Sequence, residues 1–489
     1  MRRLDLFING AWHASSASAT LAVTDKSTGE ILASVPLANA ADVDVAVIGA
    51  HVAFQDWRNR PLEERVALVR RCAEAMRENA ETLGDWITRE LGRPIVGARS
   101  EIMRSAELLD TYAEEALQLQ GQWAHGSRTG EQMLVVREPV GVVAAIAPFN
   151  YPITLLCFKL GAALVAGCTV VAKPAEDTPI STLLLAELFT QAGLPAGVFQ
   201  VITGTGKEVG MALVTHPLVR KVAFTGGTAA GKQIAAAAAD TVKRLTLELG
   251  GHCPAIICAD ADLDKAVPAI TRHAYANSGQ LCYRVNRIYA HRAIYEALVQ
   301  RLALSASALK VGPPTVTGVD MGPMVNEKMF ANAQRQSDDA RHKGARILCG
   351  GHRVEVPGCE AGWFFAPTLI ADATPDMLIM QHETFGPVLA VQQVDSDAEA
   401  LKLANDGETG LAAFVFTRDL ARGLTLCQRL EAGSVWLNDI ARSSQRAPFG
   451  GMKQSGLGRE KSRMGIEAYL EPKTIYLSYD TPDLGESPT

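Results

Sequence analysis

Val140-Gly-Val-Val-Ala-Ala-Ile146, then a helix-length apolar segment at 151–166, then Cys168-Thr-Val-Val-Ala172, is the stretch that decides the fold class. The two short runs are apolar without alternation and rich in β-branched residues, as strands buried on both faces must be. The pattern continues with strands predicted at 198–203, 221–224 and 245–249 and helices at 181–192, 207–216 and 229–240. Buried strands alternating with helices predict a parallel sheet covered on both faces. This is a doubly wound α/β layout, in which ligands bind beyond the carboxyl ends of the strands.

Upstream, residues 40–120 carry helical periodicity with mixed charge, as in Leu62-Glu-Glu-Arg-Val-Ala-Leu-Val-Arg-Arg71. Residues 121–138 turn glycine-rich and polar and end in Gln132-Met-Leu-Val-Val-Arg-Glu138, a strand and a candidate hairpin arm. Downstream, a second α/β block runs from about 255 to 430, with strands expected at 255–258, 287–290, 346–349 and 414–417. Lys473-Thr-Ile-Tyr-Leu-Ser-Tyr479 reads as a lone strand that could pair with 132–138, in this or another subunit.

Composition narrows the function classes. The 489 residues are 48% hydrophobic and 20% charged, the profile of a globular chain of two or three domains. A net charge of -6 gives no footprint for nucleic acid. No apolar run reaches the 18 or more residues of a membrane span, and Asp5 and Asn9 interrupt any export signal, so no membrane partner is expected. Nine scattered cysteines predict reduced thiols and a cytoplasmic location, and no zinc-type spacing occurs, so no metal is expected.

Two residues suggest chemistry. Cys282, in Asn277-Ser-Gly-Gln-Leu-Cys282, is a thiol that could form acyl intermediates; Glu248, in Leu247-Glu-Leu-Gly-Gly251, is a carboxylate that could activate water. Taken singly, each is more often a small buried hydrophobe and a solvated charge. Gly226-Gly-Thr-Ala-Ala-Gly-Lys232 approaches a nucleotide phosphate loop but has Gln233 where a magnesium-binding hydroxyl is needed, which argues against an NTPase or kinase. A strand-to-helix turn offering free amides to a dinucleotide pyrophosphate is the better reading. Gly204-Thr-Gly-Lys-Glu-Val-Gly210 is one residue too long for a dinucleotide fingerprint and reads as a plain turn. His252 and Cys253 suit packing, His382 the surface, and Cys157 and Cys168 the core.

Together these segments resemble the NAD(P)-dependent aldehyde dehydrogenase superfamily from about Phe7-Ile-Asn-Gly10 to Tyr469-Leu-Glu-Pro-Lys473. The landmarks, in order, are Ala147-Pro-Phe-Asn-Tyr-Pro152, Lys173-Pro-Ala-Glu176, Phe224-Thr-Gly-Gly227, Leu247-Glu-Leu-Gly-Gly251, Gly279-Gln-Leu-Cys282, Glu383-Thr-Phe-Gly-Pro387 and Pro448-Phe-Gly-Gly-Met-Lys-Gln-Ser-Gly456. The resemblance implies two doubly wound domains and a small β oligomerisation arm. Residues 1–120 and 139–250, with a return segment at 430–457, would bind NAD; 251–429 would be catalytic; 121–138 and 458–489 would form the arm of a homodimer or homotetramer.

The resemblance also implies roles. Cys282 is the expected nucleophile, Asn150 and the Cys282 N–H the oxyanion donors, and Glu248 the base that hydrolyses the thioester, which argues against acyl transfer to CoA or phosphate. Lys173, Gly206, Thr225, Gly226, Gly227, Glu383 and Phe385 would hold the cofactor, with Gly227 replacing the serine usual in that turn. Glu176 can accept from both ribose hydroxyls and repel a 2'-phosphate, favouring NAD over NADP.

For the substrate, Phe149, Phe158, Tyr283 and Phe449 suggest an aromatic entrance for a broad range of medium or aromatic aldehydes. The alternative is a succinate-semialdehyde enzyme, which Gln454-Ser-Gly-Leu-Gly-Arg-Glu460 and the pair Ser443 and Ser444 resemble. That branch's two arginines are replaced by Phe158 and Ala276, leaving Arg284 and Arg442 as candidate substitutes for binding a carboxylate. An inactive protein that kept the fold is the remaining alternative; the presence of nucleophile, base and oxyanion amide speaks against it.

Overall fold

The structure is a computed structural model and describes residues 2–440 and 443–480. Its first sheet runs in the order Gly456–Leu457, Arg244–Glu248, Val219–Thr225, Val142–Ile146, Thr169–Lys173, Phe199–Val201, Leu6–Ile8, Ala11–His13. The five central strands are parallel, as expected from their unbroken apolar runs. From Val142–Ile146 the chain adds strands outward on one side, then returns to add Val219–Thr225 and Arg244–Glu248 on the other. The order reverses between Val142–Ile146 and Val219–Thr225, which opens a crevice at their carboxyl ends.

The strands Leu6–Ile8 and Ala11–His13 were not expected from periodicity, because three residues are too few to show a pattern. Their turn did leave a signal: Asn9 (φ 52°) and Gly10 (φ 76°) form the left-handed pair that tight hairpins favour.

The second sheet runs Arg346–Cys349, Thr368–Ala371, Val388–Val394, Val285–His291, Cys253–Ile257, Ala412–Phe416, Ser434–Leu437. All neighbours are parallel except the edge strand Arg346–Cys349. Ser434–Leu437 falls within the segment assigned above to the return into the first domain. It instead pairs in parallel with Ala412–Phe416, and the chain rejoins the first sheet only at Gly456–Leu457.

Four helices, Ala40–Trp57, Leu62–Glu78, Ala80–Leu91 and Ile95–Ala116, make up the helical block. The helix Pro152–Ala166 is buried almost throughout, including Lys159, and joins the two strands whose reading decided the fold. A third sheet, ordered Leu470–Ser478, Glu131–Pro139, Gln122–His125, forms the arm. The C-terminal strand finds its partner in its own chain, in register from Leu470 against Pro139 to Ser478 against Glu131.

Candidate active site

The two large sheets meet the site with opposite ends. The first sheet contributes the carboxyl ends of its strands, at Asn150, Thr225 to Gly227 and Glu248; the second contributes loops that precede Val285–His291 and Val388–Val394, carrying Cys282 and Glu383 to Phe385.

The Cys282 loop is strained. Asn277 (φ 51°), Ser278 (φ 56°) and Gly279 (φ 72°) are consecutive left-handed residues, a conformation that costs an L-residue about 1–2 kcal/mol. Buried hydrogen bonds hold it: Ser278 Oγ donates to Gly322 O at 2.8 Å and Asn277 Nδ2 to Asn150 O at 3.0 Å. Gly279 is required, because a Cβ there would lie 2.2 Å from Gly386 O. Asn150 Nδ2 donates to Gln280 O at 3.1 Å, so one amide N–H anchors Asn150 to the Cys282 loop and the second remains for another acceptor.

Asn150 is itself positioned from a distance. It precedes the helix Pro152–Ala166, whose Ile153 and Thr154 N–H groups both donate to Glu101 Oε1 at 3.1 Å. Glu101 is fully buried and bonds Arg93 at 2.5 Å. Sequence reasoning missed Glu101 because it caps a helix about 50 residues away, and only its place at an otherwise apolar position of Ile95–Ala116 hints at burial.

Burial raises the two acids at the centre. Cys282 is half-buried; desolvation first, then the nearby Glu383, Cys253 and Glu248, push its thiol well above the ordinary range. Glu248 ends the strand Arg244–Glu248 at 3% exposure, and burial followed by the negative Glu460 raises it far above a normal carboxylate. Both of its carboxyl oxygens lack a partner among the described residues. Lys159 lies close by, bonding Glu460 Oε1 at 2.7 Å and Thr225 Oγ1 at 2.6 Å.

The crevice at the strand-order reversal has the features a dinucleotide needs. Gly227 precedes the helix Thr228–Ala239, whose first N–H groups have no side-chain cap, and no atom lies within 4 Å of where a Cβ on Gly227 or Gly206 would sit. A Cβ on Gly226 would meet Phe224 at 2.4 Å. Lys173 is buried and bonds Pro174 O at 2.8 Å, with Glu176 3.5 Å away; Glu176 Oε1 accepts from Gly206 N–H at 2.7 Å. Glu383 leaves one carboxyl oxygen buried without a partner, and burial pushes it up to about 8. Phe385 has a positive φ of 51° and packs edge-on against Phe149 at 5.7 Å. Thr225 differs from the other cofactor candidates, since its hydroxyl is taken by Lys159.

Cys282 opens into a cavity of about 690 Å³ whose wall includes Asn150, Phe158, Tyr283, Phe449 and Ser443. The other substrate candidates are placed differently. Arg284 is fully buried behind the wall, its guanidinium bonded to Val388 O at 2.8 Å and Asn286 Oδ1 at 2.6 Å. It packs behind the wall, its two terminal nitrogens bonded to carbonyls and the Asn286 amide while Nε is buried without a partner among the described residues. Ser444 is exposed and accepts from Arg446 N–H, away from the cavity. Phe149 lies against Phe385 rather than on the cavity wall. Arg442 lies outside the described residues. The wall instead presents Arg104 and Lys461, which sequence reasoning passed over.

His252 is buried with Nε2 3.0 Å from Ile379 O, His382 is exposed, and Cys157 and Cys168 are fully buried. Among the described residues no group of three or more ligating side chains could hold a metal, and no helix is long and apolar enough to cross a membrane.

The family model described as "Aldehyde dehydrogenase family" matches residues 12–475. The chain belongs to the aldehyde dehydrogenase family. It is 41% identical to a 3-sulfolactaldehyde dehydrogenase of Pseudomonas putida over 96% of both chains. It is 40% identical to the NADP(+) succinate-semialdehyde dehydrogenase GabD of Escherichia coli strain K12, over 96% of this chain and 97% of the other. A solved structure titled as an NADP dependent enzyme of E. coli superimposes with a TM-score of 0.95 at 39% identity, covering 98% of each chain. The protein is therefore an oxidoreductase acting on aldehydes, and its family draws on NAD(P).

Proposed function

We propose that this aldehyde dehydrogenase oxidises a short semialdehyde carrying a distal anionic group to the corresponding acid, with NAD as the oxidant. The reading of a broad or aromatic substrate gives way to the semialdehyde alternative, because the relatives named above act on sulfolactaldehyde and succinate semialdehyde. The observation that carries the chemistry is the convergence of Asn150 and Cys282 on one cavity wall, with Asn150 bonded to the nucleophile's own loop.

Cys282 Sγ attacks the aldehyde carbon once its proton has left. The oxygen of the resulting thiohemiacetal takes the second Asn150 N–H and the Cys282 backbone N–H, donors worth roughly 10²- to 10³-fold each in rate. Lys173, Glu176, Gly206, Gly226, Gly227, Glu383 and Phe385 would hold the dinucleotide; its orphaned partner Glu383 and the uncapped helix at Gly227 fit that group. The bound dinucleotide supplies the hydride acceptor. The acyl group then left on Cys282 is released by water, whose proton Glu248 accepts, giving the carboxylic acid. Burial followed by Glu460 raises the Glu248 carboxyl far above the usual carboxylate range, and it serves as base in its deprotonated form.

Glu176 supports NAD, since a carboxylate beside Gly206 can accept from ribose hydroxyls and would repel a 2'-phosphate. Nine unpaired thiols support a reducing, cytoplasmic setting. Steady-state reduction of NAD with succinic semialdehyde, glutaric semialdehyde and uncharged aldehydes of equal length tests the reading. A preference for the uncharged set would overturn the substrate class without touching the family.

A further inference from the structure

Four cations line the Cys282 cavity: Arg93, Arg104, Arg272 and Lys461. Arg93 is paired with the buried Glu101 at 2.5 Å, and Arg272 is solvent-exposed, with Asp439 4.0 Å away. Arg104 and Lys461 form no ion pair with a described carboxylate.

Lys461 is the unusual one. It is 1% exposed, and its only hydrogen-bond acceptor at the ammonium among the described residues is Ser443 Oγ at 2.9 Å. A buried ammonium so poorly paired is costly. Its Nζ lies 5.6 Å from the ring centroid of Phe158 and 5.8 Å from that of Phe449, so two aromatic faces of the cavity flank it. The backbone adds a second cost: φ 64° and ψ 174° put Lys461 in a region that is essentially reserved for glycine. Ser462 follows at φ 53°, and the Lys461 N–H is pinned to Tyr112 Oη at 3.0 Å. Close by, Gln445 has a buried side-chain oxygen without a partner. Strain, burial and missing counter-charge fall together on one side chain that points into the substrate cavity.

We propose that Lys461, with Ser443 and Arg104, is the anion-recognition residue of this enzyme, and that it binds the distal carboxylate or sulfonate of the aldehyde. The inference rests on the semialdehyde reading above, and the test separates the two.

Lys461→Gly relieves the backbone strain while removing the cation. The selectivity, kcat/KM for succinic semialdehyde over kcat/KM for an uncharged aldehyde of equal length, is expected to fall roughly 10- to 100-fold, the loss of a charge-assisted bond. Succinate as a competitive inhibitor should weaken by a similar factor, and Tm should hold or rise. Lys461→Arg should retain most of the selectivity. Unchanged selectivity and unchanged succinate inhibition in Lys461→Gly, or a lowered Tm with both substrates losing equally, would overturn the role of Lys461. If wild-type enzyme prefers uncharged aldehydes, the semialdehyde reading fails by itself, and succinate inhibition still decides whether Lys461 binds anions.

Discussion

At the scale of single residues, the site is a set of charges and acids whose proton affinities are shifted. Burial and neighbouring acids raise both Cys282 and Glu248 well above their ordinary ranges. Release of the acyl group should therefore speed up as pH rises, since Glu248 can accept a proton only above its raised value; single-turnover deacylation rates against pH would check this. Lys461 titrates the other way. Burial first and Arg104 second lower it to about 8, while Glu460 opposes them; Tyr112 and Ser443 complete its surroundings. It is charged below that value, so selectivity for the anionic over the uncharged aldehyde should decline above about pH 8, and Lys461→Gly should flatten the curve. Glu176→Ser should raise kcat/KM with NADP and lower it with NAD, each roughly tenfold, by removing repulsion and a bidentate ribose acceptor. Cys282, Glu248 and Asn150 could be singled out as candidates in sequence because each sits in a motif, and the structure sets Asn150 and Cys282 on one cavity wall. Arg284 was misjudged and Lys461 missed for one reason: neither burial nor a positive φ leaves a mark on a single lysine or arginine in a linear pattern.

Elements set where those residues stand. The strands Val142–Ile146 and Thr169–Lys173 were readable because strands buried on both faces must be apolar without interruption. Leu6–Ile8 was too short to read, and Ser434–Leu437 was assigned to the wrong sheet because pairing depends on its neighbour rather than on its own four residues. The helix Pro152–Ala166 illustrates a longer-range dependence, since its first turn is capped by Glu101 of another helix. Glu101→Ala would leave two buried N–H groups without a partner and Arg93 without its carboxylate, costing roughly 2–5 kcal/mol. Denaturant unfolding should show that loss. kcat should fall as well, because Asn150 lies two residues before that helix; intact kcat with reduced stability would separate the cap from the oxyanion donor.

For the whole molecule, the arm is the feature that a single chain leaves incomplete. The sheet projects Trp123, Tyr476 and Leu477 into solvent, with Tyr479 exposed just after its last strand and Tyr476 76% exposed. An apolar sheet of this size is stable when another surface covers it. We expect an oligomer, and Tyr476→Asp with Leu477→Asp should shift sedimentation velocity toward the monomer while preserving secondary structure. The layout of two sheets, one giving strand carboxyl ends and the other amino-end loops, brings Cys282 from the second sheet toward Asn150 and Glu248 of the first. The most direct test of the account is acyl trapping in Glu248→Gln mixed with NAD and succinic semialdehyde. A burst of reduced nicotinamide equal to the number of sites, with the succinyl group found by peptide mass spectrometry on Cys282, is predicted. No burst, or an acyl group on another residue, would contradict it.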